Sequence, residues 1–133
     1  MSLKDPVAAW HQIVASRDVR ALDHLLADDC VFHSPVLHSP QLGKARTMMY
    51  LGAAFHVFFN PSFHYVREVT TGHDAILEFM VEIDGIVVNG VDMLHWNDQG
   101  RITEFKVMIR PLKAVQLIQA RMAAMLEALK PSA

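Results

Sequence analysis

One carboxylate stands in an unusually apolar stretch, Ile86-Val87-Val88-Asn89-Gly90-Val91-Asp92-Met93-Leu94-His95-Trp96. The composition of this segment predicts a strand, in which side chains alternate between faces. Asp92 then shares a face with Ile86, Val88, Leu94 and Trp96. A carboxyl among apolar side chains resists ionisation, so its pKa should rise. Near neutral pH such a group can donate a proton or a hydrogen bond, which is the chemistry of a general acid or of an enolate-stabilising donor. The plainer alternative is a buried aspartate satisfied by backbone donors or by an arginine. The opposite face (Val87, Val91, Met93) is also apolar, so the pattern leaves open which face looks inward.

The other reactive residue types form no comparable arrangement. The eight histidines are scattered, and no Cys-x-x-Cys or His-Glu-x-x-His spacing occurs. No metal site and no cofactor are therefore expected. There is no glycine-rich phosphate loop. Cys30 is the single cysteine; it cannot form an internal disulfide and has no basic sequence neighbour to activate it as a nucleophile. A reducing, cytoplasmic compartment is the corresponding expectation. The chain has 133 residues, 52% of them apolar and 20% charged, with a formal net charge of -2. These values describe one globular domain with a sizeable core. They exclude a disordered chain and argue against a general nucleic-acid binder, which is normally basic. No run approaches the roughly 18 apolar residues of a membrane span. The first five residues lack the apolar core of a signal peptide, and Ser2-Leu3 is compatible with a cloning remnant.

Several elements must position Asp92. Asp5-Pro6 predicts a helix start, and Val7, Trp10, Ile13 and Val14 continue an apolar stripe to about Ser16. Asp18 can cap a short helix carrying Val19, Leu22, Leu25 and Leu26, which the Asp28-Asp29 pair ends. Cys30 to His33 reads as a short strand stopped by Ser34-Pro35, and 34–42 as loop. From Gly43 to about Phe59 the apolar positions cover most of a helix surface, predicting burial on more than one side. Strands follow at 63–71, 75–84, 86–96 and 102–110, with turns at Gly72-His73-Asp74, Asp84-Gly85 and Asn97 to Gly100. Alternation along 77–83 and 105–109 predicts antiparallel strands packed on one side. After Pro111 a terminal helix carries Leu112, Val115, Ile118, Met122, Met125, Leu126 and Leu129 on one side. Residues 1–133 thus read as one α+β domain, helices first and then a curved sheet that they cover.

This order of elements resembles the nuclear transport factor 2-like superfamily and, within it, the SnoaL-like proteins. The resemblance is carried by Asp18-Val19 through Leu25-Leu26-Ala27-Asp28-Asp29-Cys30-Val31-Phe32-His33-Ser34-Pro35, by Gly43 opening a helix, and by Val91-Asp92-Met93-Leu94-His95-Trp96-Asn97-Asp98-Gln99-Gly100-Arg101-Ile102. It covers about Pro6 to Pro111, and the helix from about 112 extends beyond the minimal pattern. It implies a cone-shaped barrel, a curved and mostly antiparallel sheet wrapped round helices with a central apolar pocket. It also implies frequent homodimers.

Ketosteroid isomerase, SnoaL-type polyketide cyclases and limonene epoxide hydrolase are members with different chemistries, so fold alone does not choose among them. The resemblance to ketosteroid isomerase places Asp92 at its protonated aspartic acid, Trp10 at its oxyanion tyrosine and Ser34 at its general base. A serine hydroxyl is no base at neutral pH. The epoxide hydrolase relay is absent, with Gly90 and Val107 at two of its positions. Asp92 matches the single acid/base aspartate of the cyclases, although Phe105-Lys106-Val107 replaces their His-Trp-Asp. The expected activity is a cofactor-independent isomerase, cyclase or dehydratase acting on a small hydrophobic carbonyl compound; the alternative is a binding module without turnover. Asp92, Trp10 and Tyr50 are the catalytic candidates. His33, Ser34, Leu77, Phe79, Leu94, Phe105, Val107 and Ile109 are the expected ligand-binding positions. Arg110 either meets an anionic substrate or pairs with Glu104 or Glu78, the pairing being favoured. His95 should face away from Asp92.

Overall fold

The computed structural model describes residues 5–130, so the expectations about Ser2 and Leu3 fall outside the described residues. The elements are α1 (Pro6–Ser16), a 3-10 turn (Val19–Ala21), α2 (Leu22–Leu25), β1 (Leu26–His33), β2 (Gln41–Leu42), α3 (Lys44–Phe58), β3 (His64–Thr71), β4 (Asp74–Ile83), β5 (Ile86–Trp96), β6 (Ile102–Arg110) and α4 (Leu112–Ala128). Asp5 caps α1 as its sequence predicts, its carboxylate accepting from the Ala8 N–H at 3.0 Å. Asp18 makes no side-chain cap. Asp28 and Asp29 do not end a helix; they lie exposed within β1, where the pairing to β6 is irregular between Leu26 and Val31. That irregularity lets two consecutive acids face water between buried Ala27 and Cys30.

The six strands form one sheet in the order β2-β1-β6-β5-β4-β3. β1 and β6 run parallel, and the remaining neighbours are antiparallel. The expected α+β architecture is present, but the curved sheet is open rather than a closed barrel. The β4–β5 hairpin turns on Asp84 and Gly85, both with positive φ (52° and 75°), the backbone that a two-residue turn of matching twist requires.

Burial settles which face of β5 looks inward. Val88, Gly90, Asp92, Leu94 and Trp96 are buried, whereas Val87 is 50% exposed. Helices α1, α2 and α3 cover one half of this face around Trp10, Leu22, Leu51 and Phe105. The end of α3 and the Ala114, Ile118, Met122 stripe of α4 cover the other half, around Phe79 and Val88. On α4 the stripe is narrower than its sequence suggests, since Leu112 and Leu129 are exposed.

Candidate functional site

Asp92 lies where the two halves of the core meet and is only 6% exposed. Tyr65 donates its hydroxyl to Asp92 Oδ2 at 2.7 Å, and Trp10 Nε1–H donates to the Tyr65 oxygen at 2.8 Å. A chain of donors therefore runs from α1 through β3 to β5 and ends on the carboxyl. Burial pushes the Asp92 pKa up to about 7, and the Tyr65 hydrogen bond holds it below what burial alone would give. Burial, with the adjacent Asp92 carboxylate, drives the Tyr65 hydroxyl well above its ordinary value, so the phenol keeps its proton. Tyr65→Phe removes the one hydrogen bond that favours the charged carboxylate. The Asp92 midpoint should then rise further, as a carboxyl NMR titration of the variant would read; an unchanged or lower midpoint would contradict the assignment.

Beside the carboxyl lies a cavity of about 50 Å³, walled by aromatic rings from three elements: Phe55 and Phe58 on α3, Phe79 on β4 and Phe105 on β6. Trp10, Phe59, Phe63, Ile118 and Met122 complete much of the wall. Among the described residues Asp92 is the one ionisable group in the lining. A carboxyl with one donor behind it and an apolar space in front can do three things: donate a hydrogen bond, deliver a proton, or, once ionised, remove one. Among the described residues no cluster of histidine, cysteine, aspartate and glutamate is arranged to hold a metal ion. The Cys30 thiol, buried and pushed up to about 11, is not a nucleophile at neutral pH.

Trp10, Ser34, Phe79, Phe105 and Val107 line the cavity with Asp92. Trp10, however, gives its N–H to Tyr65 rather than to the cavity, and Ser34 Oγ accepts from the Val36 N–H at 3.2 Å. Tyr50 is not among the residues that line the cavity. Its ring stacks on Phe32 at 5.7 Å, because its place on α3 turns it toward β1. His33 points to the other side of the sheet and meets Glu104 at 3.2 Å, as strand alternation dictates. Leu77 and Leu94 are packed in the core, and Ile109 lines an outer cleft instead. His95 faces outward onto Asp74 at 2.8 Å. Arg110 makes neither expected pair: Glu104 is taken by His33, and Glu78 by Arg67 at 3.4 Å.

Tyr65 was not among the expected residues, and the hairpin register explains why. Thr71 pairs with Asp74, and the count from that turn puts residue 65 opposite Met80, on the outer face. The register shifts between Tyr65 and Arg67, so Tyr65 instead sits opposite Phe79 and looks inward. A β-bulge re-aims one side chain in this way without any marked sequence signal. The one available hint is that Tyr65 is, apart from His64, the one amphipathic aromatic of a strand of mixed polarity, since a buried tyrosine hydroxyl needs a partner.

Residues 7–105 match the SnoaL-like domain model, and the chain belongs to that family. It is 34% identical to a structure described as a steroid delta-isomerase from Pseudomonas aeruginosa, with a TM-score of 0.88 over 92% of this chain and 90% of that one. An uncharacterised protein with a cystatin-like fold from Silicibacter pomeroyi is 30% identical, with a TM-score of 0.83 over 93% and 86% of the two chains. A putative polyketide cyclase from Sinorhizobium meliloti shares the fold at 20% identity, with a TM-score of 0.63 over 80% of this chain and 95% of the other. No curated protein matches the chain.

Proposed function

We propose that this protein is a cofactor-independent isomerase, cyclase or dehydratase for a small hydrophobic carbonyl compound, with Asp92 as its acid/base. The observation that carries the reading is a buried carboxyl, held by the Trp10–Tyr65 chain, that faces an apolar cavity. With a pKa of about 7, both protonation states are populated near neutral pH, where a general acid/base is most effective. In its carboxylate form Asp92 accepts a proton from the carbon next to the carbonyl and becomes the neutral acid. That acid faces the charge developing on the substrate oxygen and returns its proton elsewhere on the same molecule, which restores the carboxylate. Tyr65 steadies the carboxylate during that exchange, and the apolar wall keeps water from competing.

The similarity to the Pseudomonas aeruginosa steroid delta-isomerase supports a carbonyl isomerisation. A steroid substrate itself is disfavoured. Ser34 supplies no second carboxylate to serve as a separate base beside Asp92. The test is mass spectrometry of a metabolite extract incubated with wild type and with Asp92→Asn. The expected result is a compound that wild type consumes and the variant turns over roughly 10²- to 10⁴-fold more slowly. Equal consumption by both would exclude Asp92 from the chemistry. The single ionisable group in the lining favours a second reading, a binding module without turnover. A compound retained unchanged by both proteins would favour that reading.

The partner best supported for the sheet's outer face is a second copy of the chain. Among the described residues, Val69, Ile76 and Met93 lie side by side across β3, β4 and β5 on the face opposite the helices, and Val69 and Ile76 are 55% and 41% exposed. Contiguous exposed apolar surface of this kind marks an interface. Sedimentation should give a dimer for wild type and a monomer for Ile76→Glu. A wild-type monomer would contradict the proposal. Among the described residues no helix is long and apolar enough to cross a membrane.

A further inference from the structure

The cavity beside Asp92 is too small for the substrate class it suits. At about 50 Å³ it falls well below the roughly 300–1,000 Å³ typical of small-molecule sites. The structure provides more room next door. β1 pairs with β6 only as far as His33 opposite Lys106, after which the chain turns away at Ser34-Pro35. β6 continues to Arg110 without a strand on that side. The gap opens into a cleft of about 350 Å³. Ser34, Pro35 and Val107 line both the cleft and the inner cavity, so they form the partition between the two. Val107 is also the register partner of Asp92, which places this wall residue about one strand spacing, ~4.8 Å, from the strand that carries the acid.

The polar rim of the cleft has one formal charge, the Lys106 ammonium. The rim also carries His33 and His38, and no carboxylate is among its lining residues. Glu104, two residues along β6 from Lys106, is engaged by His33 at 3.2 Å. Lys106 has no ion-pair partner among the described residues, although it is half-buried. A half-buried ammonium beside apolar walls is suited to receive an anion from a ligand.

We propose that the cleft is the outer half of the binding site and that the substrate is a carbonyl compound bearing a carboxylate, an inference that rests on Asp92 being the acid of the adjoining cavity. The carbonyl end enters the inner cavity, the apolar middle passes the Ser34–Val107 partition at the open edge of β6, and the carboxylate meets Lys106, which faces outward there like its register partner His33. Two probes of one shape separate these parts: 2-naphthol, whose hydroxyl imitates an enol, and 6-hydroxy-2-naphthoate, which adds a carboxylate at the far end. Affinities are read by fluorescence titration for wild type, Lys106→Gln, Lys106→Arg and Asp92→Asn.

Wild type should prefer the carboxylate probe by roughly tenfold, the scale of one hydrogen bond to a charged group. Lys106→Gln should abolish that preference with 2-naphthol affinity unchanged, which a merely structural lysine would not do. Lys106→Arg should keep it. No preference in wild type, or a preference that survives Lys106→Gln, would overturn the inference, as would failure of both probes to bind at millimolar concentration. The Asp92 reading is judged separately. If Asp92→Asn weakens 2-naphthol binding while no carboxylate preference exists, the acid stands and the cleft assignment falls. If Asp92→Asn leaves both probes unaffected, the acid is misplaced even where Lys106 governs the preference.

Discussion

The Asp92→Asn variant is expected to be more stable than wild type at about pH 8 and nearly equal to it at about pH 4. The cause is the position of the carboxyl. Its pKa rises from an ordinary 3.8 to about 7 on folding, chiefly because burial penalises the charge. Between those two values the folded chain holds a proton that the unfolded chain has released. Stability is therefore fullest below about pH 4, falls as pH rises, and levels off once the folded carboxyl has ionised above about pH 7. At ~1.4 kcal/mol per pH unit the loss is on the order of 4 kcal/mol across that window. Asparagine removes the titration while its side-chain oxygen still accepts the Tyr65 hydroxyl. Thermal melts of both proteins across the window measure the effect. For a domain of this size the gap at the alkaline end should be on the order of 10 °C. Curves that stay parallel would mean that Asp92 is not buried as an acid.

The second large effect falls on Gly90, whose absent side chain makes space beside the site. A Cβ at this position would lie 2.8 Å from the Met108 carbonyl oxygen and 2.8 Å from Ile109 Cγ2, and would also strike the Phe79 ring. Met108 and Ile109 belong to the neighbouring strand of the same ladder, with Ile109 directly opposite Gly90. Little can give way, because the carbonyl is backbone within a paired strand. Gly90→Val should destabilise the fold by about 3 kcal/mol, the scale of an overpacked core. A urea denaturation midpoint reads it, and a variant within about 0.5 kcal/mol of wild type would show that the sheet relaxes around the added atoms. The displaced Phe79 ring would in addition encroach on the cavity that it lines.

Much of the frame was legible because its signals are local. The Asp5-Pro6 start of α1, the four strands of the meander and the Asp84-Gly85 turn each follow from a few adjacent residues. Asp92 was legible for the same reason, as one carboxylate on one face of a strand. The choice between the two apolar faces of β5 was not, since it depends on where α3 and α4 pack. The cavity wall was only half legible. Strand positions such as Phe79, Phe105 and Val107 follow from alternation, whereas Phe58 and Met122 reach the cavity through helix packing that no local pattern states. Tyr65 rather than Tyr50 reaches Asp92 for an equally non-local reason. A bulge in β3 turned the first inward, while the placement of α3 turned the second against Phe32.

The proposed chemistry turns on Asp92 being a buried acid poised near neutrality at the end of the Trp10–Tyr65 chain. The decisive measurement is a carboxyl-carbon NMR titration of the folded protein, with the Asp92 resonance assigned by its loss in Asp92→Asn. A midpoint near 7 is expected, with burial as the main cause. A midpoint near the ordinary 3.8 would contradict this, because the carboxyl would then be ionised at neutral pH and could neither hold nor deliver the proton on which the proposed chemistry depends.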